Sequence, residues 1–254
     1  MARKKIVFVI VEGPSDDSAL GVILSRLYDK NTVHVEITHG DITSESTAKP
    51  ENIASKVGNI VKAYAKANHF KQENFLSVIH IIDTDGAFIP KDHVIEDANA
   101  EEPIYTLQEI KTCRPEQIIK RNEKKSEIML RLSALNSVWV SVPYKAYYMS
   151  SNLDHVLYNK LNSSDDEKED DAYTFAIKYR DDLEGFLCFI IDSDFCKSDD
   201  YKESWEFIQK DLHSLERWSN LGICFKEIRE ERKKENNKSG IIKLFEGLPS
   251  VLRV

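Results

Sequence analysis

The amino-acid sequence predicts an α/β protein in which helices flank a parallel sheet. Continuous apolar runs rich in Val, Ile and Phe occupy residues 5–11 and 75–82, and such runs are typical of strands buried on both faces. Apolar residues at helical spacing occur between these runs, over 15–27 and 50–70. Because strands that alternate with helices form βαβ units with right-handed crossovers, these segments predict a parallel sheet.

The remaining elements follow from shorter patterns. In chain order they are a strand over 32–38, a loop with short elements over 87–113, a helix over 115–135, a strand over 138–142 and a short helix over 151–161. Beyond them the sequence predicts an exposed acidic loop over 163–171, strands over 186–191 and 223–228, and helices over 200–215 and near 241–248. We therefore predict a catalytic core over 1–162 with a helical insertion at about 87–136. A C-terminal α/β extension over 172–254 is either separate or continuous with the same sheet.

Composition narrows the class of protein. No apolar run approaches the ~20 residues that span a bilayer, and the N-terminal run ends at Glu12 without a signal-peptide cleavage site. We therefore expect a cytoplasmic protein that does not enter a membrane. The four cysteines form no C-x-x-C pair, which argues against a zinc site or a disulfide framework. A net charge of −8 argues against a general DNA-coating protein but does not exclude an enzyme.

Two acidic motifs follow the two most apolar strands. Glu12 comes directly after the first strand, and Asp83 and Asp85 come directly after the third. Open α/β sheets bind ligands at the carboxyl ends of their strands, and strand alternation places both aspartates on one side with Thr84 turned away. Carboxylates gathered there require a counter-charge, for which Mg²⁺ is suited. Each motif alone is explained by turn formation, but their joint occurrence favours a site.

Residues 6–20 (IVFVIVEGPSDDSAL) and 78–86 (VIHIIDTDG) together resemble the Toprim domain of topoisomerases, primases and OLD-family nucleases. The resemblance covers roughly residues 5–90 and implies a Toprim-like, Rossmannoid parallel sheet. Residues 147–159 (YYMSSNLDHVLYN) are also similar to a segment of stand-alone Toprim proteins linked to phage defence. No room remains for the tyrosine domain of a topoisomerase, nor is there the zinc module of a primase.

The resemblance implies a Mg²⁺- or Mn²⁺-dependent nuclease acting on DNA or RNA as an effector of anti-phage defence. It makes Glu12 a metal ligand or the general acid or base, and makes Asp83 and Asp85 metal ligands. Asp16 matches an acidic catalytic position in the first helix, although a carboxylate favoured by the helix dipole explains it equally well. Asp154 is a candidate second-metal ligand, with an aspartate on a helix surface as the alternative.

A nuclease also needs cations for the substrate phosphate. Arg121 and Lys125 lie four residues apart and therefore share one face of the predicted helix over 115–135. We assign both as candidate catalytic residues that hold a phosphate. The alternative is a solvated helix face.

A second D-x-D motif, Asp192 and Asp194, follows the apolar run at 186–191. Three roles are compatible with it: the D-x-D of the site itself if the intervening region is an insertion, a structural turn, or a second acidic site. Asp83 and Asp85 are preferred because they lie about 70 residues after Glu12 and precede a glycine. His39 and Asp41 end the second predicted strand, where a ligand, a satisfied polar residue and a turn former are all compatible with the sequence.

Two classes of function remain. The first is the nuclease, with a nucleic-acid substrate, a regulatory or ATPase protein partner, and a chain that can form a homo-oligomer. The second is a non-catalytic Toprim-like module that binds a partner protein or nucleic acid. A nucleotide switch is disfavoured because no glycine-rich phosphate loop is present.

Overall fold

The protein is described from a computed structural model, which covers the backbone of residues 4–246 and the side chains of residues 4–234. The strands are β1 (Lys5–Val11), β2 (Val33–His39), β3 (Phe75–Asp83), β4 (Val94–Glu96), β5 (Ile104–Tyr105), β6 (Ile110–Thr112), β7 (Ser137–Val138) and β8 (Val142–Met149). The helices are α1 (Pro14–Leu27), α2 (Ile53–Ala67), α3 (Pro115–Ser133), α4 (Leu153–Tyr158), α5 (Asp165–Arg180), α6 (Leu183–Ile191), α7 (Tyr201–Ile208) and α8 (Leu221–Glu246).

The central sheet has five strands in the order β2-β1-β3-β8-β7. The first four are parallel, and only β7 runs antiparallel to its neighbour β8. The prediction of an α/β protein with a mainly parallel sheet is therefore confirmed. The strand order reverses between β1 and β3, and this is the switch point at which doubly wound sheets of this order bind ligands.

Helices cover both faces of the sheet because alternate residues of each strand point to opposite sides. In β1, the side chains of Val7, Val9 and Val11 join a core cluster formed with α1, α4, α5, α6 and α8. Those of Ile6, Phe8 and Ile10 join a second cluster formed with α2, α3 and α7. Among the described residues, no helix combines the length and the apolar character needed to cross a membrane.

The segment predicted as a loop over 87–113 forms a separate small sheet in the order β4-β6-β5. Its buried side chains, Val94 and Ile110, pack with Ile118 of α3 and with Leu215. Strands of two or three residues are too short to leave a period in the sequence. The small sheet and α3 together occupy the part of the chain for which a helical insertion was predicted, at about 87–136.

The fourth parallel strand of the main sheet lies later in the chain than predicted. Residues 138–142 contain the end of β7 and a turn, while the parallel strand is β8, which pairs with β3 from Val78–Tyr144 to Asp83–Met149. The turn includes two residues with positive φ, Trp139 and Val140. Such a conformation breaks a strand, although the residue types there favour one.

Two predicted strands in the C-terminal region are helices. The run at 186–191 belongs to α6, where Asp182 accepts a hydrogen bond at the N-terminus from the backbone N of Gly185 (2.9 Å). The run at 223–228 belongs to α8, whose buried residues Leu221, Cys224 and Ile228 recur at helical spacing. Short apolar runs fit either structure until a neighbour to pack against is known.

The acidic segment over 163–171 was predicted as an exposed loop and is largely the first half of α5. Ser164 caps this helix, because its Oγ accepts from the backbone N of Glu167 (3.3 Å) and its own backbone N donates to Glu167 Oε2 (2.8 Å). The carboxylates of the first turn are favoured there by the helix dipole. The helix predicted over 200–215 ends earlier, at Ile208, and the one predicted near 241–248 extends outside the described residues.

Candidate functional site

The predicted acidic residues lie at the switch point of the sheet. Glu12 is the first residue after β1, and Asp83 is the last residue of β3. Glu12 Oε1 accepts a hydrogen bond from the backbone N of Asp83 at 3.1 Å. Because β1 and β3 are neighbouring parallel strands, their carboxyl ends meet, and this bond ties them together.

A buried lysine joins the acidic residues. Lys125 of α3 is only 1% exposed, and its Nζ lies 2.5 Å from Asp85 Oδ2 and 3.5 Å from Glu12 Oε1. Since both oxygens reach the same nitrogen at 2.5 and 3.5 Å, they are at most 6.0 Å apart. The structure therefore brings Glu12, Asp85 and Lys125 into one cluster, and the solvated helix face considered for Lys125 is wrong.

The turn after β3 is held by backbone contacts. Thr84 is fully buried, its Oγ1 donates to the carbonyl oxygen of Ser214 (2.8 Å), and it accepts from the backbone N of Ser151 (2.8 Å). Asp85 and Gly86 then adopt positive φ angles of 48° and 67°. The backbone is thus left-handed rather than extended at Asp85, while Thr84 points into the protein.

Arg121 supports this turn. Its Nη2 donates to the carbonyl oxygen of Asp85 (2.7 Å), and its Nη1 donates to the hydroxyl of Tyr105 (2.7 Å). The neighbouring Asn122 accepts from Arg121 and donates to the carbonyl oxygen of Gly86 (3.2 Å). The guanidinium of Arg121 is therefore engaged by the protein itself and positions Asp85.

Asp16 shapes the turn after β1. It is 7% exposed, and its Oδ2 accepts from the backbone N of Glu12 (3.1 Å) and of Gly13 (2.9 Å). This is the arrangement of a helix N-terminal carboxylate. Burial is the main cause that raises the pKa of Glu12 and of Asp83, and the charge of Asp16 adds to both increases.

The loop after β2 adds residues to the same edge. Thr43 is buried, and its Oγ1 lies 3.0 Å from Asp41 Oδ1 and 3.5 Å from Glu12 Oε1. Burial raises the pKa of Asp41, but Lys125 and the hydrogen bonds from Ser44 and Thr43 outweigh it, so that this pKa lies below its usual value. Asp41 was a candidate site residue from the sequence because it follows a predicted strand. No sequence pattern pointed to Thr43.

Asp154 lies in the first turn of α4 and is only 5% exposed, so the alternative of a helix-surface aspartate is wrong. Burial raises its pKa to about 6, with Asp16 and Asp171 adding to the increase against the opposing charges of Lys168 and Lys160. Its charge thus interacts with that of Asp16.

The cluster contains more negative than positive charge. Burial, followed by the charge of Asp85, raises the pKa of Glu12 to about 8 against the opposing effect of Lys125. Burial, followed by the charge of Glu12, likewise raises the pKa of Asp83 well above its usual value. Burial alone would lower the pKa of Lys125, but Asp85, Glu12 and Asp41 raise it above that of a free lysine. The cluster therefore favours either proton uptake or a further cation.

The carboxylates of this cluster are suitable ligands for a hard divalent cation, but they are not arranged as a complete metal-binding site. Carboxylate oxygens are the donors that Mg²⁺ prefers. Among the residues whose side chains are described, however, no three His, Cys, Asp or Glu side chains are arranged to hold a metal ion. The ammonium of Lys125 takes the central position between Glu12 and Asp85.

The second D-x-D motif lies elsewhere. Asp192 is the C-terminal cap of α6, and both Asp192 and Asp194 are exposed. The run before them is a helix rather than a strand, so neither aspartate stands at the end of a strand, as Asp83 does. His39, at the end of β2, contacts Asp17 through its Nε2 (3.1 Å) and not the cluster.

Comparisons with protein-family models, with curated proteins and with solved structures found no match to this chain.

Proposed function

We propose that this protein is a divalent-metal-dependent nuclease of the Toprim type, which hydrolyses phosphodiester bonds of DNA or RNA. One observation carries the proposal: Glu12 and Asp83, from two separate strands, meet at the switch point of the sheet, where Glu12 accepts from the backbone of Asp83 (3.1 Å). An acidic cluster at this place, only partly neutralised by Lys125, suits a cation that binds phosphate.

In this proposal Glu12 and Asp83 hold the cation, with Asp85 and Asp154 as further candidate ligands. Mg²⁺ is commonly bound through one or two carboxylates together with substrate phosphates, so a complete protein cage is not required. When bound, the cation would supply an activated water and charge stabilisation for the leaving oxygen.

The other residues act on the substrate or on the ligands. The ammonium of Lys125 contacts Asp85 and Glu12 and would pair with a phosphate oxygen once Asp85 turns to the metal. Arg121 keeps the Asp85 turn in place through its bond to the Asp85 carbonyl oxygen (2.7 Å). Asp16 fixes the backbone of Glu12 and Gly13, and thereby the direction of the Glu12 side chain.

The overall charge of −8 opposes the approach of a polyanion. The proposal therefore includes a regulatory or ATPase protein partner that presents the nucleic acid, as the Toprim resemblance implies for an effector of anti-phage defence.

The experiment incubates the purified full chain with plasmid, single-stranded DNA and tRNA, each with Mg²⁺, Mn²⁺ or EDTA. Glu12→Gln and Asp83→Asn are expected to lower cleavage at least about 100-fold, the effect of removing a group that stabilises the transition state. Asp192→Asn changes the exposed D-x-D motif and serves as the matched control. Equal cleavage by all variants, or cleavage that survives EDTA, would overturn the proposal.

A second function is favoured by one observation. Lys125 already supplies a buried counter-charge, and no metal-holding group is present among the described side chains. The chain would then be a non-catalytic module that binds nucleic acid or a partner protein. In this case a mobility-shift assay would detect nucleic-acid binding unaffected by EDTA, and calorimetry would detect no Mn²⁺ binding.

A further inference from the structure

The strand β2 lies at the edge of the central sheet. It forms a parallel ladder with β1 on one side, and no other described strand pairs with its outer side. Its three apolar residues, Val33, Val35 and Ile37, are half-buried, whereas the residues of β1 are almost wholly buried. The outer N–H and C=O groups of an edge strand of seven residues can pair with a further strand.

The hydrogen bonds to β1 show which peptide groups face outward. Thr32 accepts from the backbone N of Lys5 (2.8 Å), and the backbone N of Gly40 donates to Val11 (2.9 Å). The even-numbered residues of β2 therefore face β1. Because peptide groups alternate along a strand, Val35 and Ile37 direct their N–H and C=O groups away from the sheet.

On the α1 face of the sheet, β2 itself carries apolar side chains. Val35 and Ile37 line an open groove of about 750 Å³ together with Val22 of α1, and the groove is bordered by polar side chains that include Arg26 and Arg180. Val22 is 44% exposed, which is high for an apolar residue beside a sheet. The opposite face carries His34 and Glu36, whose side chains lie 3.2 Å apart.

We propose that β2 pairs antiparallel with β2 of a second copy of this chain, so that the two central sheets become continuous. A two-fold axis then places Val35 opposite the second copy's Val35, and these residues exchange reciprocal N–H to C=O hydrogen bonds. Ile37 N–H donates to the carbonyl oxygen of the second copy's Val33, whose own N–H is already bonded to Asp29 (2.8 Å).

Side-chain pairing favours this register over the one centred on Glu36. With Val35 at the centre, His34 of each copy lies opposite Glu36 of the other, and apolar residues meet on the α1 face. A shift that centres Glu36 keeps the outward hydrogen bonds but places two glutamates directly opposite, which destabilises the pair. The strand thus complements itself in the register centred on Val35, and this favours a second copy over an unrelated strand.

The test measures the mass of the full chain by sedimentation over a range of concentrations. Val35→Pro removes the outward N–H without removing a bond to β1, because proline is tolerated on that side of an edge strand. It is expected to raise the dissociation constant of the dimer at least about tenfold. A thermal melt checks that the monomer remains folded.

A charge exchange tests the register without proline. His34→Glu places two carboxylates opposite one another, and Glu36→Lys removes the carboxylate that faces His34, so both are expected to weaken self-association. In an equimolar mixture of the two variants, the introduced glutamate faces the introduced lysine and the other pair is the native one, so a mixed dimer is expected to form. If Val35→Pro and both charge variants leave the dissociation constant of the dimer unchanged, the dimer forms through another surface and the proposal is overturned.

Amide exchange measured by NMR separates the remaining outcomes. The amides of Val35 and Ile37 are expected to become protected as concentration rises, whereas that of Glu36, which faces β1, is protected throughout. A monomer at every concentration overturns the proposal. So does a monomer in which Val35 and Ile37 are always protected, since a segment of the same chain would then cover the edge. These results do not depend on nuclease activity.

Discussion

Lys125 provides the sharpest test of the acidic cluster, because it is a fully buried ammonium with a carboxylate partner. Its Nζ lies 2.5 Å from Asp85 Oδ2, and the side chains of Lys125 and Asp85 are 1% and 26% exposed. Lys125→Met keeps most of the side-chain volume and removes the charge, while Asp85→Asn removes the partner. The prediction concerns both single variants and the double variant.

Removing one partner of a buried ion pair typically costs about 3–5 kcal/mol, since the other charge is left without compensation. We expect the lower end, about 3 kcal/mol, for Lys125→Met, because Asp85 retains contact with solvent. We expect a similar loss for Asp85→Asn, because Glu12, at 3.5 Å, still faces the ammonium. The double variant leaves neither charge, so the coupling free energy is expected to be about 2–3 kcal/mol.

The assay is urea unfolding of all four proteins at about pH 7, followed by fluorescence and circular dichroism. The pair Lys91–Glu123 is the matched control, because its N–O distance is also 2.5 Å but its side chains are 70% and 53% exposed. Single and double variants of Lys91 and Glu123 are expected to show no measurable coupling free energy, because water already solvates both charges. Additive effects at Lys125 and Asp85, or equal coupling in both pairs, would refute the reasoning.

Two further predictions concern the same edge of the sheet. Glu12 has a pKa of about 8 in the folded protein against an ordinary value of 4.5, so the folded state binds this proton more tightly than the unfolded chain. Its contribution to stability is complete below the ordinary value and is lost as pH rises towards about 8. Glu12→Gln is therefore expected to flatten the decline of the urea midpoint between about pH 5 and about pH 8, and an unchanged slope would contradict the assignment. Gly86→Ala adds a Cβ 2.7 Å from Leu215 Cδ2 at a φ of 67°, and we expect a loss of about 2 kcal/mol or more in the free energy of unfolding. Gly13→Ala, whose added Cβ has its nearest contact at 4.0 Å, is the control; an equal loss there would contradict the steric argument.

The first ninety residues could be predicted because their patterns are long and agree with one another. The runs that form β1 and β3 are apolar throughout, and each is followed by a polar turn at the carboxyl edge. A strand buried on both faces is recognised by its continuous apolar run, and ligand sites form at the carboxyl ends of such strands. The meeting of Glu12 with Asp83 could therefore be expected from the sequence.

The C-terminal region could not be predicted in the same way. The run at 186–191 is short and apolar on all sides, and either a strand or a buried helix accommodates it. It became α6 because α1, α5 and α8 offer a helical surface on which Phe186, Leu187 and Ile190 are buried. That surface is assembled from distant segments, so no local period could reveal it.

The sequence by itself determined the alternation of strands and helices and the acidic residues at the strand ends, because both depend on local patterns of polarity. Only the tertiary structure decided that Lys125 is buried among them. Residues 120–125 are all polar and have the pattern of a solvated helix face. The position of α3 over the carboxyl edge turns that face towards Asp85 and Glu12, and their charge keeps the ammonium ionised out of water.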